Sequence, residues 1–191
     1  MWENIVRGFL GFVPWIVYGI IATGDEWRWG AIAGLVISLV LVVIDRRTGK
    51  GWDEMVIESS AAVFFACLTL LSILDPHSAL TPYGPALVNV WLAGTAWGSL
   101  AVGKPFTLGI ARTKAPEEVW QTPLFYRVNA VVTAVWATAF TLAAICLIYV
   151  LTVSPHATTL VIVIKVLSFV LPGVFTVRYP ALAAQRARAA G

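Results

Sequence analysis

Charge is scarce in this sequence: Asp, Glu, Lys and Arg supply only 12 % of its 191 residues, about half the share of a soluble domain. So few polar groups cannot cover the surface of a soluble domain of this size. Two cysteines exclude a disulfide scaffold, and two histidines leave little from which to build a metal centre. A formal net charge of +3 is too small for a nucleic-acid footprint. Catalytic signatures are missing as well: there is no G-x-S-x-G, P-loop, C-x-x-C or H-E-x-x-H spacing. These absences predict a protein that is not an enzyme and that carries no metal or cofactor.

What remains is apolar. Hydrophobic residues make up 59 % of the chain, nine tryptophans among them. Six stretches approach the roughly 20 residues that cross about 30 Å of hydrocarbon: residues 5–22, 29–44, 55–74, 85–102, 125–153 and 159–177. None alternates with the period of a barrel strand, so helices are the expected spanning element. The first is read as a retained helix, because no small-x-small cleavage site follows it. The expected fold is an all-α integral membrane protein: one six-helix transmembrane domain over residues 1–191.

Lys and Arg are retained on the cytoplasmic side of a membrane. Arg7, the Arg46–Arg47–Lys50 group, Lys104, Arg112, Lys114, Arg127, Arg178, Arg186 and Arg188 all fall on one side of the six-span scheme. Only Arg28 falls opposite, and Lys165 lies within the sixth span. Both termini are therefore expected in the cytoplasm. Trp27, Trp29, Tyr83 and Tyr149 are expected at the outer interface, with Trp52, Trp120, Tyr126 and Tyr179 at the inner one.

An intramembrane charge is a functional candidate by default, which singles out Lys165. Its stem can also snorkel towards water. Glu58, early in the third span, is the best acid, although it belongs to the opposite membrane end. Asn89 and Asn129 complete a candidate intramembrane polar site that either glues helices together or lines a narrow path. His77 and His156 lie in outer loops, where a haem or quinone role would need further ligands. Cys67 and Cys146 are expected to pack as small apolar residues. Pro14 and Pro172-Gly173 are expected to interrupt helix hydrogen bonding and to kink their helices. Gly94 and Gly98 form a G-x-x-x-G pair suited to internal packing or a homodimer seam.

Between the fourth and fifth spans, residues 104–124 form the one connection large enough to hold structure. Its mixed apolar and basic start suits the headgroup region. Pro116-Glu117-Glu118 has the chemistry of a helix start, and Pro123 is expected to end that turn. Lys104, Pro116, Trp120 and Trp136 are the candidate interfacial or partner-binding residues of this region.

Several short motifs here carry a resemblance: Lys104-Pro105, Pro116-Glu117-Glu118-Val119-Trp120, Arg127-Val128-Asn129, Ala134-Val135-Trp136-Ala137 and Val163-Ile164-Lys165-Val166, with Gly11-Phe12-Val13-Pro14 near the start. Together they resemble the intracellular septation protein A family of bacterial inner-membrane proteins, mainly over residues 104–180. The resemblance implies a non-enzymatic multi-pass protein of the bacterial inner membrane, linked to cell-envelope maintenance or septation. It marks Lys104, Trp120, Asn129, Trp136 and Lys165 as important without giving any of them a chemical role. Expected partners are the lipid bilayer, other envelope or division membrane proteins, and a second copy of the chain. The alternative is a small transporter or channel for an anionic or lipid-like solute, with Lys165, Asn89 and Asn129 along its path.

Overall fold

The computed structural model describes residues 10–22, 26–113 and 115–189. The expectations placed on Arg7, on the start of the first span, on residues 23–25 and on Lys114 lie outside these, as does the side chain of Arg188. All regular structure among the described residues is helical: α1 (Val13–Ile21, after a 3-10 turn at Leu10–Phe12), α2 (Trp27–Arg47), α3 (Val56–Leu74), α4 (Gly84–Ala101), α5 (Thr107–Arg112), α6 (Pro123–Val153) and α7 (Thr158–Ala189).

Among the described residues, four helices are long and apolar enough to cross a membrane: α2, α3, α6 and α7. The turn at Leu10 and α1 together make a shorter apolar segment, Leu10–Ile21. At 1.5 Å per residue it reaches about 18 Å, short of the hydrocarbon thickness. Helix α4 has 18 residues, and Gly, Pro, Asn, Thr and Ser dilute its apolar content.

The helices pair closely as α1 with α2, α2 with α3, α4 with α6, and α6 with α7. Aromatic rings on α1 and on the turn before it join the two groups. Trp15 lies 5.1 and 5.0 Å from Phe64 and Phe65 of α3, between ring centroids. On the other side, Phe12 stacks on Trp136 of α6 at 4.9 Å and meets Phe169 of α7 edge-on at 5.7 Å. The segment is central: Phe12 of the turn and Pro14, Trp15 and Tyr18 of α1 are all buried. Close approach also depends on Gly34, where a Cβ would stand 2.7 Å from the Phe65 ring.

Both helix ends that lead into the basic loops are built alike. In α2 the Gly49 N–H bonds the Arg46 carbonyl and the Lys50 N–H that of Asp45, with Gly49 at φ +86°. In α4 the Gly103 N–H bonds Leu100 and the Lys104 N–H bonds Ser99, with Gly103 at φ +70°. Each is a Schellman cap, which needs a left-handed residue and so favours glycine. Arg46 and Arg47 complement the negative end of the α2 dipole.

Several expectations are corrected. Pro14 stands in the first turn of α1, where its missing N–H costs nothing, so it starts that helix instead of interrupting it. Pro123 likewise opens α6: the Thr122 hydroxyl accepts from the Phe125 N–H at 3.2 Å as its N-cap. Helix α7 runs past residue 177 to Ala189, because Ala, Gln and Arg in the tail are good helix formers; Pro172 and Pro180 lie inside it, where neither has an N–H to donate. Trp27 is buried in the core, whereas Trp29, Trp52, Tyr126 and Tyr149 are exposed. Cys67 and Cys146 face outward. A Cβ placed on Gly94 or Gly98 would meet nothing within 4 Å, so this pair is not spent on packing within the chain.

Candidate functional site

Lys165 lies seven residues into α7, about 10 Å along that helix. Its Nζ donates to the Gly19 carbonyl at 3.0 Å, near the C-terminus of α1. A helix leaves its last carbonyls without intrahelical partners and carries partial negative charge there. The ammonium is therefore a cap supplied by another helix, joining residues far apart in sequence. A Cβ on Gly19 would stand 3.4 Å from Nζ, an ordinary contact distance.

Asn89 joins Lys165 as expected. Both line a cavity of about 40 Å³ with Trp15, Tyr18 and Phe169, which has room for about three waters and no larger solute. Asn89 is only 2 % exposed. Its amide nitrogen donates to the Pro85 carbonyl at 3.0 Å, the preceding turn of α4. Its amide oxygen and the Trp15 indole N–H are buried without hydrogen-bond partners.

Asn129 and Glu58 do not join them. Asn129 lies near the start of α6, at the basic end, and donates to the Phe125 carbonyl at 2.8 Å. Glu58 sits in the first turn of α3, where it crowds Gly11: a Cβ on that glycine would fall 2.6 Å from Glu58 Oε1. The four residues of the expected polar site are thus divided between three places.

At the basic end, the chain after Gly103 doubles back. The Phe106 N–H donates to Ser99 Oγ at 3.1 Å, which drives the Phe106 ring into the core against Phe12 and Trp136. Thr107 then bonds the Asn129 carbonyl at 3.0 Å and Thr133 Oγ at 2.8 Å, tying α5 to α6. Gly109 rests on the backbone of Glu54, where a Cβ would lie 2.5 Å from the carbonyl oxygen. Arg112 pairs with Glu54 at 3.6 Å and lies 5.6 Å from the Trp120 ring centroid. The loop after α2 and the connection after α4 therefore meet.

Two cavities flank α5. One, of about 380 Å³, is lined by Lys104, Leu108, Arg112, Trp120, Thr122 and Tyr126 among others. The other, of about 330 Å³, is largely apolar: Phe106, Ile110, Phe125, Val128, Val132 and Pro180 contribute, with Thr107, Asn129 and Thr176 as its polar members. Thr176 Oγ accepts from the Trp136 indole N–H at 2.8 Å. Lys104 and Trp120 thus share a site as the interfacial residues of the connection. Pro116 caps the 3-10 turn Glu117–Val119 beside it. Trp136 lines the apolar cavity and not the one that holds Lys104 and Trp120; at 2 % exposure it is a core residue, ringed by Phe12, Phe140 and Phe169.

Of the functional residues, sequence reasoning missed Gly19 and Trp15. A backbone acceptor leaves no mark in a sequence, and Trp15 reads as one more apolar residue. Comparison with known proteins gives no match: no family model, curated protein or solved structure corresponds to this chain.

Proposed function

We propose that this chain is a non-enzymatic, six-span protein of the bacterial inner membrane, both termini cytoplasmic, acting by contact with other membrane proteins in envelope maintenance or septation. The observation that carries the contact mode is how the interior polar groups are used. Ser60 bonds Thr95 at 2.7 Å and accepts from Trp91 at 2.8 Å; Trp136 bonds Thr176, Trp97 bonds Thr141, and Thr107 bonds Thr133. Such pairs hold helices together, at about 0.6 kcal/mol each. Outward faces of α2, α3, α6 and α7 are apolar, suited to lipid and to other helices. The meeting of the two basic loops favours even numbers of crossings between them. The resemblance of residues 104–180 supplies the envelope and septation setting.

The test is in-membrane photo-crosslinking from Trp97, an exposed residue on α4. Recovery of a defined envelope membrane protein is the expected result; a chain recovered alone, with normal envelope integrity in its absence, would overturn the reading. The transporter reading draws on the Lys165–Asn89 cavity. It requires the ammonium to leave Gly19, and equal liposomal flux of an organic anion in wild type and Lys165→Ala would remove it.

A further inference from the structure

We infer that the two cavities flanking α5 form one binding site for an anionic phospholipid of the surrounding bilayer, its phosphate at Lys104 and an acyl chain in the apolar cavity. This rests on the membrane-spanning reading above, not on the septation assignment.

The headgroup side follows from charge. Lys104 is exposed and has no ion pair among the described residues. The Schellman cap at Gly103 holds its backbone at the mouth of the 380 Å³ cavity. Arg112, already shared between Glu54 and the Trp120 ring, adds positive potential on the same wall. Trp120 donates its indole N–H to the Ala115 carbonyl at 2.9 Å, which fixes its ring in that wall. Thr122 and Tyr126 add hydroxyls. Each Lys or Arg near an anionic membrane surface attracts its headgroups by about 1 kcal/mol, and of Lys104 and Arg112 it is Lys104 that is not paired with an acid.

The tail side follows from saturation. The apolar cavity falls within the size range of small-ligand sites. Its hydroxyls are already engaged with protein: Thr107 with Asn129 and Thr133, and Thr176 with Trp136 and the Pro172 carbonyl. A polar solute would find few groups to replace its water, whereas a hydrocarbon chain needs none. Helix α5 divides the two cavities, and the stretch Thr122–Phe125 lines both, Thr122 and Pro123 on one side and Phe125 on the other. An amphiphile whose charged and apolar parts are joined is the ligand this pairing fits.

The full chain, purified in mild detergent and incubated with phosphatidylglycerol or phosphatidylcholine, is examined by native mass spectrometry. Wild type is expected to retain one phosphatidylglycerol in preference to phosphatidylcholine. Lys104→Glu should weaken retention about tenfold, and Val128→Trp, which fills the apolar cavity, should abolish it. Thermal unfolding of both variants reports whether they fold; if Val128→Trp does not, Ile110→Phe replaces it. Equal retention of the two lipids, or retention by both variants at the wild-type level, would overturn the proposal. Competition by millimolar inorganic phosphate would show a site for the free anion and overturn the acyl-chain component. Loss of the site leaves the crosslinking result from Trp97 untouched, so the two proposals fail separately.

Discussion

Lys165 and Lys104 stand at opposite ends of the bundle and are held in opposite ways. Lys165 is half-buried, and its ammonium is committed to the Gly19 carbonyl beside a cavity of about 40 Å³. Lys104 is exposed, without an ion pair among the described residues, beside a cavity of about 380 Å³. The residue that a hydropathy profile makes conspicuous is the one that serves the structure. The ordinary loop lysine is the one left open to a ligand. An intramembrane charge keeps its functional prior only until a backbone carbonyl is found under it.

That contrast can be tested from its strongest element downwards. Trp136 lies between the two ends and joins α1, α6 and α7, so Trp136→Ala should damage both, costing about 3–5 kcal/mol in detergent-solubilised stability. A variant as stable as wild type would mean that the ends are held independently. Gly109→Ala pushes a Cβ into the Glu54 backbone and should cost about 1–3 kcal/mol. Proteolysis should then open the basic end first, while the region around Lys165 stays protected; uniform cleavage would contradict this. Lys165→Met keeps the length of the stem and removes the cap from α1, for a loss of about 1 kcal/mol in thermal unfolding. An equal or higher stability would show that the buried charge costs more than its hydrogen bond returns. Smallest of all, Lys104→Gln should leave stability within about 0.5 kcal/mol of wild type, and a larger drop would give that lysine a structural partner.

Much of the helical architecture was legible because apolar runs bounded by Gly, Pro and charge are local signals. The segments starting near Trp29, Met55, Pro85, Phe125 and Thr159 all correspond to helices, displaced by a few residues. Proline was harder to read. Pro14 and Pro123 sit in first turns, and a sequence shows a proline without showing whether the helix begins or breaks there. The joining of Lys165 with Asn89 was legible as a list of polar residues in apolar segments, but its partner Gly19 was not, because the acceptor belongs to the main chain. Glu58 was already legible as belonging to the opposite membrane end from Lys165, whereas Asn129 looked like a member of the same set and helix direction carries it elsewhere. Trp136 appeared beside Lys104 and Trp120 in motif order, while its place on the inner face of α6 depends on Phe12 arriving from α1. Membership of a site is a tertiary fact, and periodicity does not encode it.

The central claim is that the basic loops share one side of a membrane. Single cysteines introduced into a Cys67→Ala, Cys146→Ala background at Thr48, Thr113 and Gln185, and at His77 and His156, can be labelled with an impermeant maleimide in intact cells. The account predicts that positions 77 and 156 react from outside, while 48, 113 and 185 react only after the membrane is permeabilised. Labelling of 48 and 113 from opposite sides, or of 185 together with 156, would contradict it.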